Sequence, residues 1–312
     1  MDAPASDLVV VAGPTGSGKS DLALALARRF SGEIVNCDSI QIYRYFDIGA
    51  AKTPPSERHG VPHHLIDIAN PDEVFTAGDY ARHARAALAG ITVRGHLPIV
   101  VGGTGFYLRA LLEGLFEGPS RDEKLRRRLQ RIEQRRVGSL HRLLQRRDPS
   151  AAGRIHPNDT NKLTRALEVV VKESRPLTEA FAGGRDPLTG YRVFGVGLNP
   201  PRADLYRRID QRLERMFRAG LLDEARGILD RGYPPTCKPF ESLGYAQALE
   251  VVLHNQAVEQ AILDAQMQTR RYAKRQWTWF RKQTQLRWID GFGDDPTVQE
   301  AVGAWVAEFL QS

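Results

Sequence analysis

Cysteine is scarce in this 312-residue chain: Cys37 and Cys237 are the whole complement, and neither belongs to a C-x-x-C pair. That excludes a disulfide framework, and both side chains read as reduced thiols. Long apolar runs are missing too, so no membrane partner is expected. The short run at Leu8–Ala12 leads into a glycine-rich loop and not into a cleavage site, so a cytoplasmic protein is expected. No internal repeat or low-complexity tract is evident. With 42% hydrophobic and 26% charged residues, the chain can bury a full core, as one large domain or two.

Acidic residues are missing where basic ones gather. The net charge is only +7, but Arg121–Arg147 holds eleven Lys/Arg against three acids, and Arg270–Arg287 holds seven against none. Basicity concentrated in this way suits a polyanion-binding surface, with solvated helix faces as the plainer account. In the second stretch Trp277, Trp279 and Phe280 alternate with the cations. Aromatic and guanidinium faces stack on splayed bases while Lys and Arg follow phosphates, as single-stranded RNA recognition requires. Packing of those aromatics into the core is the competing account.

What is present is organised around GPTGSGKS: Gly13, Pro14, Thr15, Gly16, Ser17, Gly18, Lys19 and Ser20. The stretch fits G-x-x-x-x-G-K-[ST], the P-loop of nucleotide-binding and ATP-binding proteins. Its glycines let backbone N–H groups turn onto an anion, Lys19 adds a mobile charge, and the Ser20 hydroxyl is offered to Mg²⁺ at a helix N-terminus. The apolar run before it and the helical spacing of Leu22, Leu24, Leu26 and Ala27 after it give strand, loop and helix in order. Whose phosphates these are stays open on the motif alone.

The chain then reads as an α/β protein with a P-loop NTPase-like parallel sheet, flanking helices and a helical insertion. Strands are expected at Glu33–Asp38, Leu97–Val101 and Tyr191–Leu198. Helices are expected at Thr76–Ala89, with Thr76 as cap, from about Asp159, and at Arg202–Ala219 and Leu221–Arg231. An Arg-rich helix is expected from Ser120 to about Arg147, and Phe181–Gly190 reads as a return linker. The expected division is therefore 1–119 with 191–312 as the core, its C-terminal helices carrying the basic, aromatic RNA-binding candidate, and 120–190 as the insertion.

Two strand ends carry chemistry. In a doubly wound sheet the C-terminal strand ends converge, which brings Asp38 towards the phosphate loop as a Mg²⁺ ligand, a general base or a turn cap. After Leu97–Val101 come Gly102, Gly103 and Thr104, where an NTP hydrolase would often carry its second acid. That counts against plain NTP hydrolysis and suits stabilising a leaving oxygen, or else marks a tight turn. The adjacent His63 and His64 lack a third ligand at zinc spacing and read as positioning residues near the sheet edge.

GPTGSGKS, DSIQIYRYFDIGAAK, HHLIDI, VGGTGFYLRALLEG, RIHPNDTNKLTRALEV, SLGYAQAL and RYAKRQWTWFR, in this order over nearly the whole chain, resemble the tRNA dimethylallyltransferases, or isopentenyltransferases. One departure is Ala50, where that family usually has Thr. The resemblance implies transfer of a dimethylallyl group from dimethylallyl diphosphate to the exocyclic amine of the adenosine 3′ of the anticodon. Gly13–Ser20 would then hold the donor diphosphate with Mg²⁺, Thr104 would hydrogen-bond the bridging oxygen, and Asp38 would take the amine proton. Arg212, with Arg208 as a weaker choice, would reach the diphosphate. Contacts to tRNA would fall on Asp38, Ser39, Ile40, Gln41, Thr104 and Arg126, and on Asn161, Lys162, Leu163, Thr164 and Arg165. They would continue on Glu241, Ser242, Leu243, Gly244, Tyr245 and Ala246, and on Lys274, Arg275, Gln276, Trp277, Thr278, Trp279, Phe280 and Arg281. The insertion would clamp the anticodon stem, and a monomer is expected. The rivals are a small-molecule kinase with Asp38 as base, a prenyltransferase of free adenine nucleotides, and a non-catalytic RNA-binding module.

Overall fold

The apolar run ahead of the glycine loop forms strand β1, Ser6–Ala12, and the loop opens directly into helix α1, Lys19–Arg29. The computed structural model describes residues 5–116, 118–180, 184–283 and 285–312, and it divides into two units, 1–112 with 188–312, and 113–187. The first unit continues with β2, Gly32–Asn36, β3, His63–His64, α2, Ala77–Val93, β4, Leu97–Gly102, and α3, Gly105–Leu112. The second unit holds α4, Glu123–Arg135, α5, Ser139–Arg147, α6, Pro149–Arg154, α7, Thr160–Glu173, and α8, Leu177–Ala180. The first unit resumes with β5, Tyr191–Asn199, α9, Arg202–Arg218, α10, Leu221–Asp230, α11, Tyr245–His254, and α12, Val258–Gln283. It ends with β6, Arg287–Asp290, and α13, Pro296–Gln311.

The strands form one parallel sheet in the order β3-β2-β4-β1-β5-β6. Every residue of β2 is buried, as are the last five of β1, the mark of a sheet covered on both faces. Helices α1 and α13 bring Leu22, Leu26, Val298, Val302 and Val306 against Val9, Val11 and Ile99. A second cluster gathers Leu205, Ile209 and Leu213 of α9 with Phe240, Tyr245 and Ala273. Ala12 pairs with Gly102 and Asn36 with Val101, so β1, β2 and β4 end side by side. Among the described residues no helix is long and apolar enough to cross a membrane.

Local chemistry explains where the elements depart from expectation. Strand β2 stops at Asn36, short of Asp38, because Asn36 Oδ1 accepts the Asp38 N–H (3.1 Å) and turns the chain. Thr76 does cap α2, in a reciprocal box with Asp79, and the helix runs on to Val93. The Arg-rich segment is not one helix: it breaks before Gly138, which takes φ 81° at the start of α5. Asp159 caps α7, accepting the Lys162 N–H (3.1 Å). The edge strand β6 was not foreseen.

The second unit begins ahead of Ser120, since Phe116 already bridges to Arg185 and Glu113 pairs with the Arg185 guanidinium (2.5 Å). Its core is Leu129, Leu140, Leu144, Leu163, Leu167 and Val170. Of the return linker, 181–183 lie outside the described residues. Where the chain rejoins the first unit, the Leu188 N–H donates to the Leu112 carbonyl (3.0 Å).

Candidate active site

The loop between β1 and α1 is braced from two sides. On one, the Gly293 N–H donates to the Ser17 carbonyl (2.9 Å), and Gly18 has φ 81°; a Cβ there would lie 2.7 Å from Gly293 N and 2.8 Å from Asp294 Oδ1. Glycine at 18 is required by both the backbone angle and the approach of the 291–295 segment. On the other side, the Thr15 N–H donates to Gln276 Oε1 (2.8 Å). Within the loop the Pro14 carbonyl accepts from Lys19 Nζ (2.8 Å) and from the Ser17 N–H (3.3 Å). The Ser17 hydroxyl is buried without a partner among the described residues, while Ser20 is exposed in the first turn of α1.

Burial pushes the Lys19 ammonium down to about 8, with Arg212 adding repulsion and Asp38 opposing both. Arg212, on α9, is also lowered by burial, while the Asp38 carboxylate favours its charge. Among the described residues it makes no hydrogen bond or ion pair. Two desolvated cations facing one carboxylate make a site short of negative charge, as a polyphosphate requires. Arg208 is placed differently: its guanidinium grips Asp294 through two bonds (2.7 and 2.8 Å). Its charge is already balanced.

Asp38 Oδ1 accepts the N–H groups of Ile40 (2.8 Å) and Gln41 (3.4 Å), so the turn-cap role is present. Oδ2 has no hydrogen bond among the described residues. Thr104 stands opposite: its N–H reaches the Cys37 carbonyl (3.2 Å), and its hydroxyl accepts the Ser39 N–H (3.0 Å). The glycines around it are fixed by crowding. A Cβ on Gly102 would lie 2.0 Å from the Cys37 carbonyl oxygen, on Gly103 2.3 Å from Gln276 Nε2, and on Gly105 2.3 Å from the Trp279 ring. Cys37 itself is inert, its thiol pushed up to about 12 by burial.

The positions assigned to tRNA separate into outward and inward groups. Lys274, Arg275 and Thr278 are exposed on α12, whereas Gln276 and Phe280 are buried and Trp277 and Trp279 half-buried. Trp277 packs on the α9–α12 cluster and Trp279 on Gly105 and Phe280, so packing, the competing account, holds for these rings. Arg281 is exposed but bonded to Asn199 Oδ1 (2.8 Å). Tyr245 is also a core residue: its hydroxyl bonds Glu224 and accepts the Gly49 N–H (3.0 Å). Near it, Glu241 pairs with Lys238, Ser242 Oγ donates to the Pro239 carbonyl (2.6 Å), and Gly244 is buried. Leu243 and Ala246 are half-buried. The Gln41 amide donates to the Ala50 carbonyl (3.1 Å), which uses main chain only at the position where Ala replaces the family's Thr.

In the second unit Leu163 is fully buried, Asn161 and Lys162 are exposed and Thr164 is half-buried. Arg126 and Arg165 converge on Glu168, which is wholly buried (2.8 and 2.7 Å). Burial opposes ionisation of Glu168, but Arg126, the Asp122 N–H and Arg165 outweigh it and hold the carboxyl at about 2. His64 has a similar partner: its Nε2 meets Oε2 of buried Glu33 (2.6 Å), shared with Arg94 and His96. These acid hubs, and the 293–294 brace, were not found by sequence reasoning. The readable signal for Glu168 was its spacing of three from Arg165 on one helix.

A parallel sheet, a glycine loop after a central strand, and a carboxylate and hydroxyl at neighbouring strand ends define the P-loop NTPase-like fold class, here without a second strand-end acid. The IPP transferase family model matches residues 41–283. A tRNA dimethylallyltransferase of Solibacter usitatus is 58% identical over 97% of this chain and 99% of its own length, and one of Koribacter versatilis 54% over 93% and 95%. The crystal structure of a full-length tRNA isopentenylpyrophosphate transferase from Bacillus halodurans, 36% identical, superposes with a TM-score of 0.73 over 98% of this chain and 97% of that one. A eukaryotic dimethylallyltransferase acting on tRNA, 27% identical, gives 0.80 over 97% and 77%. The chain belongs to the IPP transferase family, the tRNA dimethylallyltransferases, and is a prenyl-transferring enzyme.

Proposed function

We propose that this enzyme transfers the dimethylallyl group of dimethylallyl diphosphate to the exocyclic amine of the adenosine 3′ of the anticodon in tRNA. The observation that carries the reading is the Lys19–Arg212 pair of desolvated cations, next to an Asp38 oxygen and a Thr104 hydroxyl on adjoining strand ends. The diphosphate lies in the loop Gly13–Ser20, with Lys19 and Arg212 balancing its charge. The amine nitrogen attacks the allylic carbon, and the carbon–oxygen bond breaks with its electron pair going to the bridging oxygen. Thr104 donates a hydrogen bond to that oxygen, and Asp38 Oδ2 takes the proton from the amine. Arg208, paired with Asp294, acts at most by setting the loop's surroundings.

Mg²⁺ suits the donor set. The described residues contain no cluster of three His, Cys, Asp or Glu able to cage a metal. A hydroxyl at Ser20 beside a diphosphate is the kind of site Mg²⁺ accepts, keeping most of its ligands as phosphate oxygen and water. Bound there, it would add positive charge to the departing diphosphate. The acceptor base leaves its stack to reach Asp38, as base-modifying enzymes require. Lys274 and Arg275 hold tRNA phosphates. Every group in this scheme comes from one chain, so a monomer in the cytoplasm suffices.

Incubation with tRNA and labelled dimethylallyl diphosphate, followed by mass analysis of the nucleosides, tests the reading. Prenylated adenosine is expected, with ATP neither required nor consumed. Unmodified tRNA, or ATP hydrolysis stimulated by tRNA, would overturn it.

A further inference from the structure

Pairing between β1 and β4 ends at Ala12 and Gly102. Beyond it one strand enters the phosphate loop and the other turns through Gly103 to Thr104. Gln276 reaches across from α12 at this point. Its Oε1 accepts the Thr15 N–H (2.8 Å) and its Nε2 donates to the Gly103 carbonyl (2.8 Å). The side-chain amide thus serves each loop as a peptide group of an intervening strand would. It is buried, 6% exposed, and the fit is tight, since Gly103 leaves no room for a Cβ beside Nε2. Trp279, three residues on, is seated on Gly105 and fixes the same helix against the same turn.

We propose that Gln276 is a positioning residue that sets the spacing between the phosphate loop and Thr104. It thereby holds the bridging oxygen of a donor diphosphate where the Thr104 hydroxyl can reach it. This corrects its assignment as a tRNA contact: both ends of the amide face the donor site. The inference rests on the reaction proposed above. A change in spacing of about 1 Å alters the reacting geometry more than the affinity for either substrate, and such misplacement typically costs about 10²-fold in rate.

Gln276→Met keeps the length and removes both hydrogen bonds. Its single-turnover rate should fall about 10²-fold, with dissociation constants for donor and tRNA within about threefold of wild type. Gln276→Glu adds a signature that simple loss of packing would not produce. Neutral, the introduced carboxyl can accept from Thr15 and donate to Gly103; ionised, it turns an anion on the Gly103 carbonyl. The titratable groups around this junction are Lys19, Asp38, Cys37, Tyr107 of α3, Arg212 of α9, and Tyr272 and Arg275 of α12. All are shared with wild type, so they cancel in the ratio of variant to wild-type rate. That ratio should lie near one at low pH and fall about tenfold per pH unit once the carboxyl ionises, down to the level of Gln276→Met.

A ratio independent of pH would overturn the proposal, as would a Gln276→Met rate within about threefold of wild type. Weakened tRNA binding at an unchanged rate would return Gln276 to the RNA surface. If Gln276→Met does not fold, the pH dependence of Gln276→Glu decides alone. Amide exchange at Thr15 needs no activity: it should be slow in wild type and Gln276→Glu and fast in Gln276→Met. Wild type that modifies no tRNA would sink the functional reading, and the exchange comparison would still judge the strut.

Discussion

Raising the pH from 7 to 9 should weaken donor binding through Lys19. Desolvation, with Arg212 adding repulsion and Asp38 opposing it, lowers the ammonium's pKa to about 8 from an ordinary 10.5. If only the charged form holds the diphosphate, the apparent dissociation constant scales as one plus ten to the power of pH minus pKa. Between pH 7 and 9 the protonated fraction drops from about nine-tenths to about one-tenth, so binding weakens about tenfold, or about 1.4 kcal/mol. Calorimetric titration of dimethylallyl diphosphate into tRNA-free enzyme at constant free Mg²⁺ reads this directly, since the ester's own ionisation is complete in that range. Lys19→Arg should flatten the curve, because a guanidinium stays protonated throughout. A wild-type dissociation constant constant within about twofold over that range would refute the account of Lys19 as a desolvated cation. Without donor the sign reverses. A lysine whose folded pKa is lowered binds fewer protons folded than unfolded, so stability should rise between pH 8 and 10.5.

Asp38→Ala should lower the single-turnover rate about 10²–10⁴-fold and Thr104→Ala about 10²–10³-fold, each with a smaller change in tRNA affinity; an Asp38→Ala rate within about threefold of wild type would remove it as the base. Replacing Lys274 and Arg275 together with Ala should flatten the slope of log affinity for tRNA against log salt by roughly 1.4 units if both meet single-stranded phosphates. Arg281 is left out because Asn199 already holds it. Hydrogen bonding from Arg94, His64 and His96 holds Glu33 at about 2, against an ordinary 4.5. Its stabilisation should therefore be complete above about pH 5 and lost as pH falls towards 2, reduced by solvent screening at the exposed Arg94. The gap in melting temperature between wild type and Glu33→Gln should shrink over that window.

The fold class was legible because its signals are local. An apolar run, a glycine loop and a 3.6-residue stripe each fix one element, and GPTGSGKS fixes their order. The orientation of α12 was also written in the chain, but the charges concealed it. Ala261, Ala265, Thr269, Ala273, Gln276 and Phe280 recur at spacings of three and four and are the buried stripe. That places Gln276 inside and Lys274, Arg275 and Thr278 outside, whereas reading the aromatics as base platforms turned the inner face outward. Partners distant in sequence were not legible. Nothing near Gly18 announces Gly293, nothing near Arg126 announces Glu168, and Arg208 reads like Arg212 until Asp294 appears beside it. Such pairings depend on which surfaces the fold brings together, and periodicity within one segment carries no record of that.

The hydrogen bond between Leu112 and Leu188 has a consequence for how such a protein is assembled and altered. The first unit's two cut ends are already joined there, so its chain path is complete without the stretch between them. A gene encoding the sheet and its helices can therefore acquire, exchange or lose 113–187 by a splice at one point, leaving the strand register untouched. Closing a longer or shorter loop across that point changes the chain entropy by only about 0.6 kcal/mol for each doubling of its length. The catalytic core can thus keep its sequence constraints while the inserted helices vary in length and charge.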